Sequence, residues 1–99
     1  MAKDITYDMF PDGLGFYANY DGKHVGEITF VRVGIDKLII DHTDVSENYR
    51  NENIGINLLR QVVDLARNQN RKIITMCPFA KAMFCKYPEF DDVRFLHVR

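Results

Sequence analysis

The apolar positions of the first 45 residues fall into four stretches rich in aromatic and β-branched residues, a composition typical of β-strands. Short turn-forming segments separate them, and each contains both glycine and aspartate. The fourth stretch has apolar neighbours at Ile39 and Ile40, which predicts a central strand covered on at least one side. The predicted strands are Ile5 to Phe10, Leu14 to Tyr20, His24 to Val33 and Lys37 to Val45, with turns at Pro11 to Gly13, Asp21-Gly22 and Gly34 to Asp36.

The second half of the chain changes to a helical period. After a polar, asparagine-rich loop from Ser46 to Asn53, apolar residues recur at helical spacing from Ile54 to about Asn70, which predicts a long amphipathic helix. Lys72 to Met76 predicts a fifth strand. Cys77-Pro78 predicts the cap and first turn of a shorter helix ending near Lys86, and Val93 to Val98 predicts a last strand. The order predicts an α+β fold with a mostly antiparallel sheet.

Length and composition narrow the class of protein. The 99 residues predict a single domain, 1–99, and the apolar fraction of 46% is enough for one core without disulfides or metal. A formal charge of −1 with mixed signs argues against a nucleic-acid partner. The N-terminus has no apolar signal-like region and no segment is long enough to span a bilayer, so we expect a cytoplasmic protein without membrane contact.

The two cysteines, Cys77 and Cys85, have neither the spacing of a zinc site nor that of a disulfide framework. We therefore expect two free thiols and no metal. Cys85, which follows Phe84, is predicted to lie in the core.

The loop Arg50-Asn51-Glu52-Asn53-Ile54-Gly55 opens directly into the long helix. It resembles the Arg/Gln-x-x-Gly-x-Gly/Ala signature of the GCN5-related N-acetyltransferase (GNAT) superfamily, and Arg50, Ile54 and Gly55 match that signature. In the family, backbone N–H groups and the positive end of the helix hold the coenzyme A pyrophosphate here. Asn51 and Asn53 stand where the family usually has glycine, and asparagine tolerates the left-handed backbone region better than most residues.

Two flanking segments extend the resemblance to about Gly26 to Pro88 and to the short, single-domain members of the superfamily. Upstream, Asp41-His42-Thr43-Asp44-Val45 resembles the strand whose main chain lines the pantetheine arm. Downstream, the segment from Ile73 to Lys81 resembles the strand-to-helix junction that carries a cysteine close to the coenzyme thiol. The resemblance implies a small GNAT-like fold with acetyl-coenzyme A as co-substrate. The coenzyme-binding residues it implies are His42, Thr43, Val45, Arg50, Asn51, Glu52, Asn53, Ile54, Gly55, Cys77, Phe79 and Lys81.

Cys77 is also a candidate nucleophile on physical grounds alone. A thiol at a helix N-terminus feels the positive end of the dipole, which favours thiolate, and Lys81 one turn later adds positive charge. The alternative is that Cys77 is a small apolar residue buried for packing.

A general base for an amine substrate has two candidates. The unperturbed pKa of a histidine lies near neutrality, which makes His42 one candidate, and Glu27 on the third strand could act through water. A structural histidine and a solvated carboxylate are the alternatives, and His24 and His97 show no arrangement that recommends them. The aromatic residues Phe10, Phe16, Tyr17, Tyr20 and Phe30 are expected to form core and cross-strand pairs, or in part an acceptor cleft.

The sequence therefore predicts an acetyl-coenzyme A-binding protein that transfers an acetyl group to an unidentified amine, with Cys77 and His42 as catalytic residues. Two other functions stay open at this point: a coenzyme A or acyl-coenzyme A binder without turnover, and an interaction module on the same fold. A monomer is expected, although an exposed sheet edge also permits a dimer.

Overall fold

The five predicted strands form one sheet in the order β1-β2-β3-β4-β5 in the computed structural model, which describes residues 4–95. Neighbouring strands are antiparallel except β4 and β5, which are parallel and joined by a crossover helix. This confirms the mixed α+β prediction and the central position of β4. The elements are β1 (Ile5–Met9), β2 (Gly15–Tyr20), β3 (Lys23–Val33), β4 (Lys37–Val45), α1 (Ile54–Gln69), β5 (Lys72–Thr75) and α2 (Pro78–Lys86), with 3-10 segments at Glu47–Tyr49 and Pro88–Val93.

Helix α1 packs its apolar stripe against one face of the sheet. The apolar stripe predicted from the sequence is buried there, apart from Leu65, which is half-buried. The stripe packs against alternate residues of the central strands. Helix α2 and the second 3-10 segment add to the same core through Ala80, Phe84 and Phe90. The main buried residues of the sheet are Ala18, Ile28, Phe30, Leu38, Ile40 and Ile73, and those of α1 are Ile54, Leu58, Leu59, Val62, Val63 and Ala66.

We call the opposite side of the sheet the open face and define it by Tyr17, Glu27, Thr29 and His42. These residues pair with one another across the register, Tyr17 with Glu27 and Thr29 with His42. All four are half-buried or exposed.

Two β-bulges change which side chains reach the open face. On β3, Val25 is an extra residue opposite the Ala18/Asn19 step, and on β4, Asp41 is an extra residue opposite the Thr29/Phe30 step. Each insertion reverses the alternation of side chains along its strand. His24 and Glu27, three residues apart, therefore both lie on the open face. His42 also points to the open face, although Ile40, two residues earlier, points to the α1 face.

Two predictions about the C-terminal third need correction. Cys85 is exposed, because successive helical residues point about 100° apart and Phe84 takes the inward direction. The last strand was predicted to begin at Val93, but Val93 ends a 3-10 segment that the sequence did not predict. Arg94 then makes one isolated bridge to Ile73, and the rest of the predicted strand, 96–98, lies outside the described residues, as does His97.

Candidate functional site

Strands β4 and β5 separate half-way along β4. Their pairing runs only from Lys37 to Ile40, and its last contact is the Met76 N–H donating to the Ile40 carbonyl at 3.2 Å. Beyond the Asp41 bulge, β4 continues to pair with β3 up to Val45, but β5 has ended and the chain has turned into α2. Within residues 4–95, the β5 side of β4 from His42 to Val45 therefore has no strand partner, and its main chain is open to a ligand.

The N-terminus of α1 lies beside this open edge. Asn53 occupies the N-cap with left-handed dihedrals, φ 60° and ψ 25°, and its side chain makes no cap hydrogen bond. The first turn of α1 contains no acidic residue to offset the positive end of the helix dipole, and Glu52 immediately precedes the N-cap. Asn51 is not among the described residues with positive φ, so only one of the two asparagines requires the backbone freedom that glycine would supply.

A cavity of about 310 Å³ joins the open edge to the helix start. Within it, the Arg50 Nε donates to the Val45 carbonyl at 3.3 Å. Gly55 is required for packing, because a Cβ there would lie 2.8 Å from the Phe79 ring. The cavity is lined by Thr43, Asp44, Val45, Arg50, Gly55 and Phe79, five of which were implied to bind the coenzyme.

Cys77 takes the N-cap position of α2 and is 7% exposed. Its Sγ lies 3.5 Å from the Thr43 hydroxyl oxygen, which joins α2 to the open edge of β4. Burial raises the pKa of the Cys77 thiol. Hydrogen bonding by the Thr43 hydroxyl and by the backbone of Ala80, Phe79 and Thr43 lowers it by more, so the net pKa is below its ordinary value.

The two candidate bases lie together on the open face. The His42 Nε2 is 3.5 Å from Glu27 Oε2, and the His24 Nε2 is 3.0 Å from Glu27 Oε1. His24, which the sequence did not single out, therefore belongs to the same cluster. In a regular strand, the His-x-x-Glu spacing places the two side chains on opposite faces. The spacing brings them together here only because a bulge lies between them.

The remaining predicted site residues are distributed around this centre. Ile54 is 1% exposed and belongs to the core, so only its backbone is available to a ligand. Asn51 is exposed and Glu52 is half-buried in the same loop. Lys81 is exposed and lines a different depression, which it shares with Cys85 along the β5 edge.

A family model described as GCN5-related N-acetyl-transferase matches residues 15–93, which is most of the chain. The chain belongs to this family. The match covers β2 through the second 3-10 segment and thus every element that shapes the site.

Solved structures agree with membership of the GCN5-related N-acetyltransferase family. A GCN5-like protein from Staphylococcus aureus is 33% identical with a TM-score of 0.76, and the match covers 95% of this chain and 91% of that one. A search of curated proteins gives no match.

Two less similar solved structures share the fold and contain a coenzyme. N-acetylglutamate synthase from Neisseria gonorrhoeae, in complex with coenzyme A and N-acetyl-glutamate, has a TM-score of 0.66 at 18% identity, over 75% of this chain and 18% of that one. A GNAT family acetyltransferase from Elizabethkingia anophelis with acetyl-CoA bound has a TM-score of 0.62 at 18% identity, over 87% of this chain and 72% of that one.

Among the described residues, no group of three or more histidine, cysteine or acidic side chains is arranged to hold a metal ion. Over the same part of the chain, no helix is both long and apolar enough to cross a membrane.

Proposed function

We propose that this protein is an acetyl-coenzyme A-dependent N-acetyltransferase that acts on a primary amine, and that residues 1–99 form one domain. The observation that carries the proposal is the opening between β4 and β5, which exposes unpaired β4 main chain directly beside the N-terminus of α1. The family match and the coenzyme-bound neighbours of the same fold support it.

The residues around this opening fit the chemistry of coenzyme A. The pyrophosphate is an anion, and the Arg50 to Gly55 loop supplies free helix N–H groups and a guanidinium without a nearby acidic side chain in the first turn. The pantetheine arm contains amides, which can hydrogen bond as an added strand would to the main chain of His42 to Val45, on the side that has no strand partner. The Arg50 side chain bonds the Val45 carbonyl on this side.

The chemistry is set by the two faces of β4. Thr43 points to the α1 side, where Cys77 lies, and His42 points to the open face. In the direct route, the amine nitrogen bonds to the acetyl carbon, the carbon–sulfur bond breaks, and His42 accepts the proton that the nitrogen loses. In the alternative route, the Cys77 thiolate bonds to the acetyl carbon and coenzyme A leaves as its thiolate. The amine nitrogen then bonds to that carbon, the Cys77 sulfur leaves as thiolate, and His42 accepts the proton that the nitrogen loses.

The first experiment is calorimetric titration of the protein with acetyl-coenzyme A. We expect saturable binding, and we expect Asn53→Asp to weaken it about five-fold, because a carboxylate at the N-cap costs about 1 kcal/mol against a pyrophosphate. Asp at an N-cap also stabilises a helix, so the loss of affinity should come with unchanged or higher stability.

Asn70→Asp is the matched control. Asn70 is also left-handed, with φ 56°, but it caps the C-terminal end of the same helix. The two variants make the same chemical change on the same backbone conformation at opposite ends of α1. Equal affinities in the two variants, or no binding by the wild-type protein, would contradict the proposed site.

Turnover with a panel of primary amines then separates a transferase from a binder, because a pure coenzyme binder would show affinity without product. Ping-pong kinetics and an acetylated Cys77 in the mass spectrum would support the thiol route. Full activity in Cys77→Ala would exclude the thiol route, and only the direct route would remain.

A further inference from the structure

Glu27 lies between two histidines on the open face, an arrangement that the proposed coenzyme site does not use. One carboxylate oxygen lies 3.0 Å from the His24 Nε2 and the other lies 3.5 Å from the His42 Nε2. Both imidazoles are about half exposed and the carboxylate is about one-third exposed. Each oxygen thus serves a different ring.

Both β-bulges of the sheet are needed for this arrangement. Without the extra residue at Val25, His24 would point to the α1 face while Glu27 points to the open face. Without the extra residue at Asp41, His42 would share the face of buried Ile40. Bulges disrupt a ladder and often redirect a side chain beside a functional site. Here two independent bulges direct two histidines to one carboxylate.

The His24 ring is itself held in place by aromatic neighbours. It stacks on Tyr17 at 5.7 Å with an interplanar angle of 8°, and on Phe10 at 6.2 Å and 30°. Phe10 and Tyr17 are also in contact, with ring centroids 5.0 Å apart. This stack restricts the plane of the imidazole, and the imidazole in turn restricts the carboxylate that it contacts.

We propose that Glu27 is a positioning residue for His42. Its two oxygens lie 3.0 Å from the His24 Nε2 and 3.5 Å from the His42 Nε2, and the negative carboxylate favours a proton on each of these nitrogens, so both rings are held in the Nε2–H tautomer. The Nδ1 of His42 is then left unprotonated and available to take the proton from the attacking amine. His24 acts through Glu27, and neither residue needs to touch the substrate. This inference rests on the proposed function only in its catalytic part.

The test uses Glu27→Gln, which keeps the size of the side chain but replaces one acceptor oxygen with a donor NH2 group. An amide cannot accept from two Nε2–H groups through separate oxygens. The NH2 group can satisfy a histidine only at an unprotonated Nε2, which requires the Nδ1–H tautomer. We expect both rings to be Nε2–H in the wild-type protein and one of them to change in the variant.

Long-range proton–nitrogen NMR correlations at about pH 8.5 report these tautomers without any substrate, because ordinary histidines are neutral there. Asp8→Asn is the control: Asp8 pairs with Tyr17 on the same face and undergoes the same carboxylate-to-amide change on another strand. It should leave both rings Nε2–H. An unchanged tautomer pair in Glu27→Gln would overturn the proposal.

Kinetics test the catalytic part once an amine substrate is in hand. Glu27→Gln should lower kcat about ten-fold with little change in the KM for acetyl-coenzyme A, since a misdirected base loses part of the 10²- to 10⁴-fold typical of general base catalysis. His24→Phe keeps a ring for the Tyr17 stack but removes the hydrogen-bond donor, and should lower kcat by less.

The outcomes separate this inference from the proposed function. A tautomer change in Glu27→Gln with kcat unchanged would overturn the positioning role while leaving the transferase intact. Coenzyme binding without turnover on any amine would overturn the transferase, and the positioning role with it, while the tautomer result would still describe the cluster.

Discussion

At the scale of single residues, the site depends on groups held in unusual local environments. Asn53 takes a left-handed conformation at the start of α1, and the Cys77 thiol is 7% exposed beside the Thr43 hydroxyl. The backbone angle of Asn53 sets the shape of the loop, and the Thr43 hydroxyl affects the pKa of the Cys77 thiol. Asparagine adopts left-handed backbone more readily than other non-glycine residues, so a loop that usually has glycine can form here without it.

The pKa of Cys77 is lowered by hydrogen bonding that outweighs burial, so its thiolate should persist to lower pH than that of an ordinary thiol. We expect the rate of alkylation by a small reagent, measured by mass spectrometry in a Cys85→Ser background, to reach its midpoint below the ordinary cysteine pKa of about 8.5.

Thr43→Val tests the cause of this shift. It keeps the shape of the side chain but removes the hydroxyl, so the midpoint should move to higher pH. Exposed Cys85, measured in a Cys77→Ser background, provides the reference. A Cys77 midpoint equal to that of Cys85 would show that hydrogen bonding does not favour the thiolate.

At the scale of elements, the position of α1 is set by close contact with β3. Gly26 lies directly under the start of the helix, and a Cβ there would be 2.9 Å from the Ile54 Cγ2 and 3.3 Å from the Asp44 carbonyl oxygen. The same helix start carries the Arg50 to Gly55 loop. Packing of the sheet against the helix therefore determines where the Arg50 to Gly55 loop stands relative to the open edge of β4.

Gly26→Ala should consequently lower the free energy of unfolding by about 1–3 kcal/mol and also weaken acetyl-coenzyme A binding, because the added methyl group pushes on Ile54. Denaturant titration and calorimetry measure the two effects.

Gly15→Ala separates the two effects. Its Cβ would clash with the Ile28 carbonyl oxygen, a backbone atom that cannot turn aside, on a strand remote from the loop. We expect it to cost at least as much stability as Gly26→Ala. Among the molecules that remain folded, it should leave coenzyme affinity unchanged. Equal losses of affinity would show that Gly26 does not set the position of the loop.

At the scale of the whole molecule, the C-terminal 3-10 segment ties α1 and α2 together. Phe90 is buried against the Phe84 ring at 5.7 Å and the Tyr87 ring at 5.8 Å. On its polar side, the Arg67 guanidinium bonds both oxygens of Asp92, and this hydrogen bonding holds the pKa of the Asp92 carboxyl below its ordinary value. The segment thereby supports the helix that begins at Cys77.

Phe90→Ala should lower the free energy of unfolding by about 3–5 kcal/mol, a large part of the 5–15 kcal/mol typical of a whole domain. Phe95→Ala removes the same ring from a site that is 37% exposed and should cost clearly less. Urea denaturation followed by circular dichroism compares the two. Similar losses would mean that Phe90 is not central to the docking of this segment.

The sequence alone determined the elements and the family. The periodicity of apolar residues located the ends of the five sheet strands and of the helices α1 and α2 to within one or two residues. It can do so because the period reflects which face of each element is buried. The loop from Arg50 to Gly55 and its flanking segments indicated the GCN5-related family. These signals are local in the chain, so they can be read without tertiary structure.

The tertiary structure decided which side chains meet. The bulges at Val25 and Asp41 arise from strand pairing, and each reverses the direction of every side chain on one side of it. In a regular strand, His24 would lie on the face opposite that of Glu27, and His42 would lie on the same face as Ile40. The His24–Glu27–His42 cluster could therefore not be predicted from the sequence. The opening between β4 and β5 likewise depends on where two strands stop pairing, which is a property of the pair rather than of either sequence.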